Sequence, residues 1–131
     1  MKLVRLLDLR PNNWYINQEK LDSARAAWDN GNEENLPSVL VTEIDEELSL
    51  IDGHSRAYAA FERGETYIKA EVEGLETIEG STALYEHIHR QGPARGIYSI
   101  ADLGERIVSA EEHKRLWIEY CSDWLKERET A

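Results

Sequence analysis

The chain has 131 residues, 41% hydrophobic and 31% charged, which is enough apolar material for one folded core and too much for a disordered segment. Fifteen Lys and Arg face 26 Asp and Glu, and the resulting net charge of −11 opposes the counterion release that drives binding to duplex DNA or bulk RNA. The lone Cys121 excludes an internal disulfide and fits a reducing compartment.

A single domain is expected over residues 1–131. The opening Met1-Lys2-Leu3-Val4-Arg5 meets Asp8 and Arg10 before any long apolar run builds up, so neither a signal peptide nor a membrane span is expected, and a cytoplasmic location follows. A pocket for one small phosphate-bearing ligand remains compatible with the acidic balance, because it needs only an Arg or two and some free backbone N–H groups.

In chain order, residues 2–9 read as an apolar strand stopped by Arg10-Pro11-Asn12-Asn13. Leu21, Ala24 and Trp28 recur at helical spacing over residues 17–30, with Gly31 placed to cap the C-terminus. A polar stretch closed by Pro37 leads to a strand at residues 38–44. Asp45-Glu46-Glu47 then makes a three-residue hairpin connection to a strand ending at Ile51. Ala57, Ala60 and Phe61 give a short helix over residues 54–63 ended by Gly64, and the alternation from Thr66 to Val72 gives another strand.

Residues 74–131 read as a helical extension: 81–91 closed by Gly92-Pro93, a short piece at 99–105, and a long helix opened by a capping box at Ser109-Ala110-Glu111-Glu112. Leu116, Trp117, Tyr120, Cys121 and Trp124 form its apolar stripe, read as core packing or a partner-binding face. The fold class expected is α+β, a small mixed sheet from residues near 3–9, 38–44, 47–51 and 66–73 flanked by helices.

The residues that carry chemistry are Asp52-Gly53-His54-Ser55-Arg56, a polar turn between an apolar strand and an Ala-rich helix. Gly53 lets backbone approach a ligand, and the helix start presents unpaired N–H groups at the positive end of its dipole. Ser55 adds a hydroxyl, His54 a proton-transfer group and Arg56 a planar fork for phosphate oxygens, while Asp52 could cap the helix or accept a proton. The alternative is a structural turn in which Asp52 caps, Arg56 pairs with Glu43 or Asp45, and His54 is exposed.

His87 and His89, two apart on a helix, point away from each other, and no metal site is implied. Arg10-Pro11-Asn12-Asn13-Trp14-Tyr15 reads either as the floor of a base-binding pocket or as a turn with an aromatic plug.

From Pro37 to Val72, with Leu50-Ile51-Asp52-Gly53-His54-Ser55-Arg56 followed by Ala59-Ala60 and a later strand, the chain resembles the ParB/sulfiredoxin-like superfamily. The resemblance implies nucleotide-phosphate binding by Gly53, His54, Ser55 and Arg56, with Asp52 or His54 assisting any chemistry, a nucleotide with Mg as the implied cofactor, and phosphotransferase or nucleotidase as implied activities. Sulfiredoxins carry a catalytic Cys in this turn; Gly53-His54-Ser55 has none, so sulfinic acid reduction is not expected. ParB proteins add a helix-turn-helix and a dimerisation segment, and a whole partition protein is not expected. The ParB-like serine kinases need an acidic base near the first strand, for which Asp8 and Glu19 are the nearby candidates.

The other reading is a non-catalytic interaction module that keeps the fold and docks a protein partner or a second copy through the Trp117/Tyr120/Trp124 face or its acidic surface.

Overall fold

The computed structural model describes residues 1–129. Strands β1 (Lys2–Arg5) and β2 (Leu9–Pro11) are separated by a 3₁₀ turn at Leu6–Asp8. Next come β3 (Ile16–Asn17), α1 (Gln18–Asp29), β4 (Val39–Ile44), β5 (Glu47–Asp52), α2 (His54–Glu62) and β6 (Tyr67–Val72). The C-terminal part holds α3 (Thr82–Gln91), β7 (Ile107–Val108), α4 (Ala110–His113), a π-helical turn at Lys114–Ile118, and α5 (Glu119–Glu129). Among the described residues no helix is long and apolar enough to cross a membrane.

The main sheet runs β1-β6-β4-β5-β2, with β1–β6 and β4–β5 antiparallel and β4–β6 and β2–β5 parallel. Its two edge strands are therefore sequence neighbours. Arg5 and Leu9 can be no more than about 14 Å apart along the chain, whereas the edges of a flat five-stranded sheet lie about 19 Å apart. The sheet must curl. The expected first strand over residues 3–9 is thus two strands on opposite edges, and the break lets Leu6 and Leu9 both turn into the core while Leu7 stays exposed.

The hairpin connection is one residue shorter than expected. Asp45 and Glu46 alone form it, with φ of 53° and 66°, the doubly left-handed conformation of a two-residue turn, and Glu47 already belongs to β5. Arg90 holds Asp45 through two hydrogen bonds of 2.8 and 3.0 Å. That pairing lowers the Asp45 pKa, chiefly through the Arg90 hydrogen bonds.

The C-terminal extension is mostly helical but contributes β7, which pairs in parallel with β3 and joins the two ends of the chain. The capping box sits one element earlier than expected: Ser99 and Asp102 cap each other's backbone at Ile100–Leu103. At α4 Ser109 accepts from the Glu112 N–H, while the Glu112 carboxylate accepts from the Ser109 hydroxyl and caps no backbone group.

One buried cluster, from Val4 to Trp117, fills the inside of the curl. Ala57, Ala59 and Ala60 are all buried, so beyond the His54 ring at its start α2 turns mostly methyl groups inward, with Tyr58 and Phe61 packed partly buried at its flanks. Two ion pairs tie α2 to α1: Arg25 grips Glu62 at 2.6 and 2.8 Å, and Arg63 meets Asp29. The aromatic stripe packs inward. Trp117 lies edge-on to Trp14 at 5.2 Å, Tyr120 is 5.4 Å from Trp14, and Trp124 stacks on His87 at 4.8 Å.

Candidate functional site

The turn between β5 and α2 is built around Gly53, which has φ of 102°, a left-handed conformation that other residues rarely adopt. A register shift at Leu40/Val41 precedes it, an irregularity that ends regular β4–β5 pairing and re-aims Ile51 and Asp52. The carbonyl of Gly53 accepts the first intrahelical bond, from Ala57 N–H at 2.9 Å. The N–H groups of His54, Ser55 and Arg56 fall before that bond, and no side chain caps the helix.

Asp52, then, is not the cap. Its side chain is 76% exposed and sits 3.3 Å from Arg56 Nη2.

Arg56 takes neither Glu43 nor Asp45. Its guanidinium, 18% exposed, donates to the Pro37 carbonyl at 2.9 Å and bridges the loop before β4 to the turn.

His54 is not exposed either. Its ring is buried, with Nε2 accepting from the Asn12 N–H at 3.1 Å, which leaves the ring proton on Nδ1. Burial pushes its pKa down to about 3, with the neighbouring His113 and Arg56 adding to the shift and a Leu50 backbone hydrogen bond opposing it. The ring stays neutral and locks β2's exit against β5.

A cleft of about 370 Å³ opens at this turn. Its walls include residues 51–56, Asn13 and Tyr15 from the loop before β3, Asn17, Lys20 and Ser23 from the start of α1, and His113 from the end of α4. Asn17 caps α1 by accepting from Glu19 N–H at 3.0 Å, so a second helix start borders the same space.

His113 accepts from the Asn13 amide at 3.2 Å. Its pKa is lowered first by burial and then by Lys20. With both histidines neutral, the charged lining groups are Lys20 and Arg56 against Asp52, a locally positive space on an acidic chain.

Neither Asp8 nor Glu19 lines this cleft, so the carboxylate nearest to any bound group is Asp52. The segment from Arg10 to Tyr15 divides its roles. Asn13 and Tyr15 face the cleft, whereas Trp14 plugs the core with Arg95 stacked 3.9 Å over it.

His87 and His89 do diverge. His87 meets the Tyr120 hydroxyl at 2.8 Å, and His89 is buried with Glu47 Oε1 at 3.6 Å.

Lys20 and His113 were not singled out from sequence. Lys20 follows the α1 cap by one turn and could have been paired with the Gly53 turn only by knowing that α1 and α2 lie side by side. No sequence signal placed His113.

These features define a small α+β protein of the ParB/sulfiredoxin-like fold with a polar cleft at the β5–α2 turn. No family model matches the chain, and no curated protein matches it. Among solved structures it is similar to protein Atu1540 from Agrobacterium tumefaciens, at 16% identity and a TM-score of 0.51, covering 78% of this chain and 60% of that one. The chain therefore spans less than two thirds of that structure. A weaker likeness is to sulfiredoxin from Arabidopsis thaliana, at 17% identity and a TM-score of 0.44, covering 67% of this chain and 97% of that one. At such identities the likeness concerns the fold alone.

Proposed function

We propose that the cleft at the β5–α2 turn binds a small phosphate-bearing ligand of the nucleotide class. The observation that carries this reading is the convergence on one cleft of the uncapped start of α2 and the Lys20 ammonium from α1. Free backbone N–H groups aligned with a helix dipole, faced by an exposed cation, suit a tetrahedral anion better than any neutral group.

Gly53 supplies the left-handed turn that starts α2 against Val39, His54, Ser55 and Arg56 offer N–H groups, and the Ser55 hydroxyl and Arg56 guanidinium supply side-chain donors. His54 enters through its backbone and by holding the turn in place, not through its ring. Asp52 is the group that could accept a proton or share a Mg²⁺ ion with phosphate oxygens. One exposed carboxylate beside a phosphate site fits Mg²⁺, which takes one or two carboxylates and keeps its waters. Phosphotransfer and nucleotide hydrolysis are the activities this arrangement would serve.

The test is a melting screen against nucleoside mono-, di- and triphosphates, with and without Mg²⁺, repeated on Lys20→Ala. A ligand at a hundredfold excess over Kd should stabilise the protein by about 2.7 kcal/mol, and the variant should lose most of that shift. No response to any phosphate compound, or an undiminished response in Lys20→Ala, would remove the reading.

A further inference from the structure

His113 ends α4, is only 8% exposed and lines the phosphate cleft, although it belongs to the C-terminal extension. Its partner fixes its chemistry. Asn13 Oδ1 accepts from the Tyr15 N–H at 3.0 Å, so the end of the amide that meets His113 Nε2 at 3.2 Å is the NH₂ group, which can only donate. Nε2 is therefore the acceptor, and the single ring proton sits on Nδ1. The Tyr15 backbone favours a ring proton by hydrogen bonding, while burial and Lys20 oppose a second one. A π-helical turn begins at the next residue, Lys114, a rare geometry that recurs at functional sites.

The C-terminal segment holds the same wall at two more points. The Ile16 N–H donates to the Arg106 carbonyl at 3.0 Å beside the β3–β7 pairing, and the Arg106 guanidinium lies 5.2 Å over the Tyr15 ring. What this wall offers a ligand differs from what the Gly53 turn offers. The charged lining groups Lys20, Asp52 and Arg56 all lie elsewhere in the cleft, whereas the wall presents the Tyr15 ring and an Asn13 amide engaged at both ends. An uncharged wall with an aromatic ring suits the planar, uncharged part of a nucleotide better than its phosphate.

We propose that His113 is a positioning residue that sets this wall, through Asn13 and Tyr15, for the nucleoside part of the ligand. This role rests on the phosphate reading and divides the labour within it: the turn and Lys20 hold the phosphate, and the wall held by the C-terminal segment selects what the phosphate is attached to.

The test titrates the full chain by NMR with AMP, GMP, CMP and UMP, and with inorganic phosphate for comparison. His113→Ala should weaken the best-bound nucleotide about tenfold, the worth of one buried hydrogen bond, and change inorganic phosphate by less than about twofold. His113→Gln, whose side-chain oxygen can accept from Asn13 in place of Nε2, should recover most of the loss. Lys20→Ala should weaken both kinds of probe. Two signals in the parent protein need no variant to fold: ¹⁵N NMR of the His113 ring should show the Nδ1–H tautomer, and the nucleotide, unlike inorganic phosphate, should shift the Asn13 side-chain amide. Equal losses for nucleotide and phosphate in His113→Ala would show a general loosening of the fold and overturn the role. So would no loss, no recovery in His113→Gln, an Nε2–H tautomer, or a parent that binds inorganic phosphate and no nucleotide. Each of these leaves the phosphate reading standing, whereas a parent that binds no phosphate compound overturns both.

Discussion

A methyl group placed on Gly53 would come within 2.6 Å of Val39 Cγ1. The turn at the mouth of the cleft is thus packed against the first residue of β4 with no room for a side chain, at a backbone angle that also disfavours one. Gly53→Ala should cost about 2–4 kcal/mol, combining left-handed strain with overpacking. Urea unfolding measures this directly, and a loss below about 1 kcal/mol would mean that the turn relaxes freely.

Arg56→Ala should weaken binding of a phosphate ligand by about 1.5–3 kcal/mol, the scale of a charge-assisted hydrogen bond. Free-protein stability should fall by only about 1 kcal/mol, because the Asp52 left behind is 76% exposed and stays hydrated. Calorimetric titration and a melt of the variant separate the two effects. A loss of several kcal/mol in stability, with no phosphate ligand found for the parent, would make Arg56 a structural residue only.

His54 carries a pH signature. Its folded pKa is lowered from 6.5 to about 3, so below pH 6.5 the unfolded chain binds a proton that the folded protein refuses. Stability from this group is full above pH 6.5 and falls with acid down to about pH 3, at roughly 1.4 kcal/mol per pH unit. His113, whose pKa is also lowered, adds in the same direction. Urea midpoints at pH 7, 6, 5 and 4 should decline steadily, and His54→Gln should flatten the slope while lowering stability at pH 7. An equal slope in the variant would place the acid sensitivity elsewhere.

Duplex DNA should not bind at physiological salt. A net charge of −11 repels the backbone, and the locally positive cleft, with Lys20 and Arg56 as its cations, matches one phosphate rather than a tract. Electrophoretic retardation of random-sequence duplex at micromolar protein would contradict this.

Much of the architecture was legible from local pattern. The alternation before Val72, the Pro37 and Gly64 stops and the Ala-rich helix after Gly53 place β4, β5, α2 and β6 within a residue or two of where they lie. Each depends on backbone preference and a buried face that recur over a few residues. The same logic misplaced the first strand, because Leu6, Leu7 and Leu9 look alike in sequence and only the curl distinguishes the edge each side of the break must join.

The candidate site shows the same division. The sequence by itself determined the turn, since Gly53 alone of its residues tolerates the backbone angle and the residues after it open a helix. Tertiary structure decided what the turn faces and what each side chain does. It sends the His54 ring inward to Asn12, commits Arg56 to the Pro37 carbonyl, and brings Lys20 and His113 from distant segments to one cleft. The physical reason is that a backbone angle is a property of one residue and its neighbours. A side chain's partner depends on which segments the closing of the curled sheet and the packing of α1 on α2 bring together, and no local period records that.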